Sequence, residues 1–278
     1  MKTKHLIILG VVVIALMFSF LGGGDNPGTG EVVSGFSGSL TVAGSTTVLP
    51  INQEAARVLM EKHDDLRISV SGGGSGHGIR AVGSGEADIG AASREVKKEE
   101  KQQYSNINPI AIGKDSVAVA VHPLNDIDEL SIEQVRKIFS GEITNWQTLG
   151  GGDREIRVVT REPGSGTREV FENSVMKDTQ IAERAGVKSS NGEVRASIAT
   201  DENKIGYVSY GYIDDSVKSL KIQGTTPDDI KDYPISRSLF LITKGEPKGL
   251  EEKFLDFVLS PEGQEIVKEI GYMKVNQG

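Results

Sequence analysis

Three turns rich in glycine and hydroxyl residues each lead into a stretch of helical periodicity. They read Ala43-Gly44-Ser45-Thr46-Thr47, Ser71-Gly72-Gly73-Gly74-Ser75-Gly76-His77-Gly78 and Arg161-Glu162-Pro163-Gly164-Ser165-Gly166-Thr167. Behind the first, Val48, Ile51, Ala55, Val58 and Leu59 recur at helical spacing. Ile79 and Val82 follow the second, and Val170, Phe171 and Val175 the third. A helix start offers unpaired N–H groups and a partial positive charge. Glycine admits close backbone approach, and Ser and Thr hydroxyls add short adjustable donors. Three such starts meeting at one point make an anion cage, with Arg161 as its fixed charge. Helix capping alone accounts for Ser75, Ser165 and Thr167, but not for Arg161 or the repetition.

The remaining chemistry is sparse. His77 stands beside a serine, but no G-x-S-x-G nucleophile elbow frames that serine. The other histidines, His5, His63 and His122, are scattered, and there is no cysteine, so no metal cluster or disulfide is expected. A G-x-x-x-x-G-K-[ST] loop is also missing, which leaves nucleotide hydrolysis without support. Trp146 reads as packing. Ser93 and Arg94, after an apolar run, read equally well as a solvated loop.

The elements that must position these turns follow a βαβ rhythm. Strands are predicted at 39–43, 66–70 and 87–91, with helices at 47–62 and 77–84 between them. Residues 116–121 suit a long buried or crossing strand. Ser131 and Gln134 form a capping-box pattern ahead of Ile132, Val135, Ile138 and Phe139. Strand 156–160 delivers Arg161, and a helix at 192–199 and a strand at 205–209 follow. A late strand at 239–243 precedes two helices, the second opening at Ser260-Pro261. A mostly parallel sheet gathers its turns at the strands' carboxyl ends, where open α/β sheets bind ligands.

With 278 residues the chain suits one large or two medium α/β domains. Its net charge of −8 excludes general electrostatic attraction as a source of anion affinity, so local dipoles and one or two placed cations must supply it. Aromatics at 5% and the lack of a basic run argue against nucleic-acid binding. Met1-Lys2-Thr3-Lys4-His5 and the apolar run at 6–21 read as an export segment at 1–24, a signal peptide or N-terminal membrane anchor. Gly24 occupies the lipidated position of a lipoprotein-like signal, which without cysteine cannot form a thioether. Residues 25–38 read as a flexible tether.

Together these residues resemble the substrate-binding proteins of phosphate ABC transporters. The resemblance rests on Gly44-Ser45-Thr46-Thr47, Gly74-Ser75-Gly76 and Ala87-Asp88-Ile89-Gly90-Ala91-Ala92-Ser93-Arg94. It continues through Ile138-Phe139-Ser140-Gly141-Glu142-Ile143-Thr144-Asn145-Trp146, Arg161 with Gly164-Ser165-Gly166-Thr167-Arg168, Ile205-Gly206-Tyr207-Val208 and Leu259-Ser260-Pro261-Glu262-Gly263. It implies a two-domain α/β fold of the type II periplasmic-binding-protein kind, with mixed sheets, flanking helices and a ligand cleft between domains. Residues 39–113 and 236–278 then form a discontinuous domain I, and 114–235 form domain II.

The resemblance further implies a non-enzymatic protein without cofactor or metal. It would be a monomer outside the cytoplasm, in the periplasm or at the outer face of the cytoplasmic membrane, handing inorganic phosphate to a membrane permease. The implied phosphate-binding residues are Thr46, Thr47, Ser75, Ser93, Arg161, Ser165, Gly166 and Thr167. Family members carry an aspartate where Ser93 stands and an acid where Pro163 stands; Arg94, Glu95 and Glu162 are the nearby charges able to take over. The alternatives are a protein for another tetrahedral oxyanion, sulfate or molybdate, or an exported phosphatase-type enzyme.

Overall fold

Residues 36–275 are described by a computed structural model of the chain. The expected export segment at 1–24 and the tether up to residue 35 lie outside the described residues. Among those described, no helix is long and apolar enough to cross a membrane.

The first third alternates as the apolar pattern predicts. Strand β1 (Gly38–Gly44) is followed by α1 (Leu49–Lys62), β2 (Leu66–Ser71), α2 (Ser75–Ser84) and β3 (Ile89–Ala92). Pro50 at the start of α1 suits a position whose N–H has no helical partner. Helix α1 opens two residues later than predicted, because Val48 and Leu49 donate back to the Ser45 carbonyl at 3.2 and 3.0 Å. Helix α2 opens earlier, directly at Ser75. Gly78 on α2 lies against the backbone of β1 and β3; an added Cβ would fall 2.5 Å from the Ala91 carbonyl and 2.8 Å from that of Ala43. Glycine there allows helix and sheet to touch.

A short helix α3 (Lys98–Gln103) precedes β4 (Ile107–Val121), far longer than the predicted 116–121. Strand β5 (Glu129–Leu130) leads to α4 (Ile132–Ser140), whose reciprocal Ser131–Gln134 capping box is formed as the sequence indicates. A 3₁₀ turn, Trp146–Leu149, buries Trp146 in the core. Strand β6 (Arg157–Arg161) then runs into α5 (Gly166–Phe171), which continues as a π-helical turn over Glu172–Met176. Next come β7 (Gly186–Lys188), α6 (Asn191–Ala199), β8 (Lys204–Ser209), β9 (Lys218–Ser219), β10 (Lys221–Ile222) and β11 (Ser236–Lys244). Helices α7 (Leu250–Leu259) and α8 (Pro261–Glu269) close the fold, the latter capped by Ser260, which accepts from Gly263 N.

The main sheet runs β2-β1-β3-β11-β4-β8-β6-β7, with β9 paired to β4, while β5 and β10 form a separate two-stranded pair. It is parallel in its two wings and antiparallel at its centre. The centre departs from the mostly parallel expectation: β11 pairs antiparallel with β3 and β4, and β4 pairs antiparallel with β8. One half of β4 pairs with β11; from Val117 onward it pairs with β8. The apolar side chains accordingly collect in separate cores. One is built from residues of α1, β2 and α7 with Ile112, Leu239 and Leu241, and another from α4, the π turn and β8 with Val117, Val119 and Val121. Stacked Phe171 and Tyr207, with centroids 4.0 Å apart, anchor α5 in the second.

Candidate functional site

The three glycine–hydroxyl turns, which follow β1, β2 and β6, meet one another, Gly74 N donating to the Gly44 carbonyl at 3.0 Å. Gly76 N donates to the Gly164 carbonyl at 3.0 Å, joining the second turn to the third. The hydroxyls of Thr47 and Thr167, 120 residues apart in sequence, lie 3.3 Å from one another. Ser75 and Ser93 form a second hydroxyl pair at 3.3 Å, and Ser93 N donates to Ser75 Oγ at 3.0 Å. A Cβ at Gly166 would collide with both of these serine oxygens, so the start of α5 is pressed against them. All eight candidate residues, Thr46, Thr47, Ser75, Ser93, Arg161, Ser165, Gly166 and Thr167, are buried. Ser93 and Arg94 are thus interior groups, not a solvated loop.

Each candidate has a distinct local role. Thr47 N donates to Ser45 Oγ at 3.2 Å, so the residue offers its hydroxyl to the centre of the cluster. Ser165 caps α5 by accepting from Arg168 N at 3.3 Å. Ser75 is no cap; that position belongs to Gly74, whose φ of 84° favours glycine.

Arg161 ends β6 with a side chain only 1% exposed. Its backbone N–H donates to the Tyr207 hydroxyl at 3.3 Å, which also pairs with Thr160 at 2.7 Å. Burial pushes the Tyr207 phenol up to about 12. It therefore stays protonated as a neutral brace under the arginine. Glu162 takes Nε and Nη2 of Arg161 at 2.9 Å each, and the Ser189 carbonyl accepts from Nη2 at 3.3 Å. Nη1 is buried without a hydrogen-bond partner among the described residues. An unpaired buried cationic donor is costly, which marks this face of the guanidinium as a site for an acceptor.

Of the other charges near Ser93, Arg94 turns away to Glu100 and Glu169, at 2.7 and 3.1 Å, and Glu95 is exposed. No carboxylate hydrogen-bonds Ser93 or the neighbouring hydroxyls of Thr46, Thr47, Ser75 and Thr167 among the described residues.

Sequence reasoning missed a second arginine. Arg237 lies on β11 directly opposite Asp115 of β4, and the two form a buried fork with distances of 2.9 and 2.7 Å. The other edge of its guanidinium donates to Thr47 Oγ1 at 2.9 Å, to Thr167 Oγ1 at 3.0 Å and to the Ser93 carbonyl at 3.3 Å. Burial pushes the Asp115 carboxyl up, opposed by Arg237 and by hydrogen bonds from Ser209 and Tyr210 N. Asn191, at the start of α6, was missed as well. Its Oδ1 accepts from Ser209 N at 3.1 Å, and its Nδ2 donates to Thr46 and Thr47 at 3.3 and 3.0 Å. The one available signal was a charged residue at the polar end of an apolar strand run, Asp115 before 117–121 and Arg237 before 239–242.

A cluster of buried hydroxyls between two cores, served by strands that cross from one to the other, is the architecture of a periplasmic-type binding protein. Residues 29–262 match the PBP superfamily domain. More specifically, the chain belongs to the family of PstS phosphate-binding proteins. It is 38% identical over 250 residues to the phosphate-binding protein PstS of Bacillus subtilis, covering 86% of this chain and 81% of that protein. With PstS of Staphylococcus aureus strain USA300 it shares 31% over 275 residues, covering 90% and 82%.

Solved structures agree. A candidate phosphate ABC transporter substrate-binding protein from Clostridium perfringens, with bound phosphate, superposes with a TM-score of 0.82 at 36% identity, covering 86% of this chain and all (100%) of that one. An ABC-type phosphate transport receptor from Vibrio cholerae gives 0.69 at 31% identity, covering 84% and 99%. The type II periplasmic-binding-protein fold is therefore the fold of this chain.

Proposed function

We propose that this protein captures inorganic phosphate at the meeting point of the three turns and delivers it to an ABC transporter permease for import. The observation that carries the reading is Nη1 of Arg161, buried and without a hydrogen-bond partner among the described residues, on the same turn as the buried hydroxyls of Ser165 and Thr167. A tetrahedral oxyanion satisfies such a donor set, and the relatives named above are phosphate-binding proteins by name. Thr46, Thr47, Ser75, Ser93, Arg161, Ser165, Gly166 and Thr167 are the proposed contacts. The relatives' names give phosphate binding, which favours this reading over an exported phosphatase.

The reading divides the chain into lobes at 39–113 with 236–278 and at 114–235, joined through β4 and β11. An anion touching Thr46 and Ser75 of one lobe and Arg161 and Thr167 of the other binds the closed state better than the open one, which is the differential affinity that closure requires. The proposed setting is outside the cytoplasm, with residues 1–24 serving as signal or anchor and the lobes acting as a monomer.

Calorimetry is the test. One phosphate taken up per chain, with compaction in small-angle scattering, supports this function; no uptake at saturating phosphate overturns it. Steady hydrolysis of a phosphate ester would favour the enzyme instead.

A further inference from the structure

We propose that Arg237 and Asn191 are positioning residues that turn the Thr47 hydroxyl into a donor-only group, aimed at the bound oxyanion. The proposal rests on the phosphate-binding reading above and assigns a task that the binding turns do not perform for themselves.

A hydroxyl has two lone pairs and one proton. At Thr47 both lone pairs are engaged, by Arg237 Nη2 at 2.9 Å and by Asn191 Nδ2 at 3.0 Å. The orientation of Asn191 is set, because its Oδ1 accepts from Ser209 N at 3.1 Å and its amide nitrogen must therefore face the threonines. The orientation of Arg237 is set likewise by the fork to Asp115 on the neighbouring strand. Thr47 is left with its proton alone, and among the described residues Thr167 Oγ1 at 3.3 Å is the acceptor paired with it. Thr167 Oγ1 itself receives Arg237 Nη1 at 3.0 Å.

Two consequences follow. A hydroxyl that cannot accept offers no partner to a protonated oxygen, so Thr47 favours a bare anionic oxygen. Such a hydroxyl is also a stronger donor, because its oxygen is polarised by a guanidinium within a buried network. Arg237 thus acts on the anion through two hydroxyls rather than by touching it, and Asp115 balances its charge. The arrangement spans the proposed lobes, since Thr47 precedes α1 and Thr167 lies in α5 while Arg237 stands on the strand between them.

The test is a mutant cycle on the full chain, read by phosphate titration calorimetry alongside thermal melting. Arg237→Gln should weaken phosphate binding about tenfold or more in the parent, yet less than about threefold once Thr47→Val and Thr167→Val have removed the hydroxyls. Thr47→Ser, which keeps the hydroxyl, should restore the full dependence on Arg237. Asn191→Ala, which leaves the buried ion pair intact, should show the same loss of effect in the Thr47→Val background. Equal losses in both backgrounds, following the fall in melting temperature, would mean a structural role only and overturn the proposal. A parent chain that takes up no phosphate would instead overturn the functional reading on which it stands.

Discussion

Glu162 grips the guanidinium of the preceding residue, Arg161, along one edge, with Nε and Nη2 each 2.9 Å from a carboxylate oxygen. The acid that the resemblance implies two residues after the arginine is Pro163 in this chain, and the carboxylate on the guanidinium is that of Glu162, one residue earlier. Nη1 is left facing inward. Arg161→Ala should weaken phosphate binding by about 2–5 kcal/mol, as for truncation of one member of a buried charge pair. Arg161→Lys should lose affinity too, because an ammonium cannot divide one edge to Glu162 and another to the anion. Glu162→Gln should weaken binding less than either. Parent-like titration curves for Arg161→Ala would mean that the anion sits elsewhere.

Selectivity should show what Ser93 does. Sulfate and phosphate share a shape, and a carboxylate at this position would accept the phosphate proton and repel sulfate. Ser93 pairs with Ser75 instead, and its hydroxyl is able to donate to sulfate. Sulfate is therefore expected to compete with phosphate, and Ser93→Asp should sharpen its rejection. Competition titrations at several pH values check this; complete exclusion of sulfate by the parent would contradict it.

Gly166 is sterically obligatory. A methyl group there meets Ser75 Oγ and Ser93 Oγ, both fixed by their own hydrogen bond. Gly166→Ala should push α5 away from α2, costing about 1–3 kcal/mol as overpacking does and lowering phosphate affinity in parallel. Denaturant titration with and without phosphate measures both.

Across the proposed cleft, Glu169 of α5 pairs with Arg94 at 3.1 Å and with Lys97 at 2.6 Å. On the proposed division this contact joins the two lobes and should favour the closed state. Glu169→Gln should weaken phosphate binding by about 0.2–1 kcal/mol, the range for pairs that are partly in water. The variant should also respond less to added salt than the parent. An unchanged salt response would show that the pair does not report on closure.

Acid should loosen the same region. Burial pushes the Glu100 carboxyl up, but hydrogen bonds from Arg94 and from Lys97 N outweigh it and hold the group below its ordinary 4.5. A depressed carboxyl contributes stability above its unfolded value and loses it as pH falls through the folded value. The stability of the parent should therefore decline below about pH 4.5, and Glu100→Gln should flatten that part of the profile. Parallel acid profiles for the two proteins would refute the assignment.

Much of this protein was legible in local sequence, for reasons that are themselves local. Alternating apolar runs and helical periods mark β1, α1, β2 and α2, because each buries one face and repeats with its own geometry. Ser131 with Gln134, and Ser260 with Pro261, mark helix starts because capping is settled within four residues. The three turns stood out as an anion-site expectation because glycine, hydroxyl and arginine stand side by side in them, and the fold brings them together. The short strands β5, β7, β9 and β10 were not legible, since two or three residues are too few to show a period.

What only the tertiary structure decided is how charges distant in sequence are matched. Arg237 and Asp115 are charged residues within strands, separated by 122 positions and without a motif around either. Antiparallel register alone sets them face to face, and register depends on how β11 returns between β3 and β4. Asn191 likewise reaches Thr46 and Thr47 from 145 and 144 residues away. Burial then decides their meaning. A lone arginine in water is a solvated charge, but one enclosed with Asp115 must spend its donors on nearby oxygens, and beyond the carboxylate it finds Thr47 Oγ1, Thr167 Oγ1 and the Ser93 carbonyl.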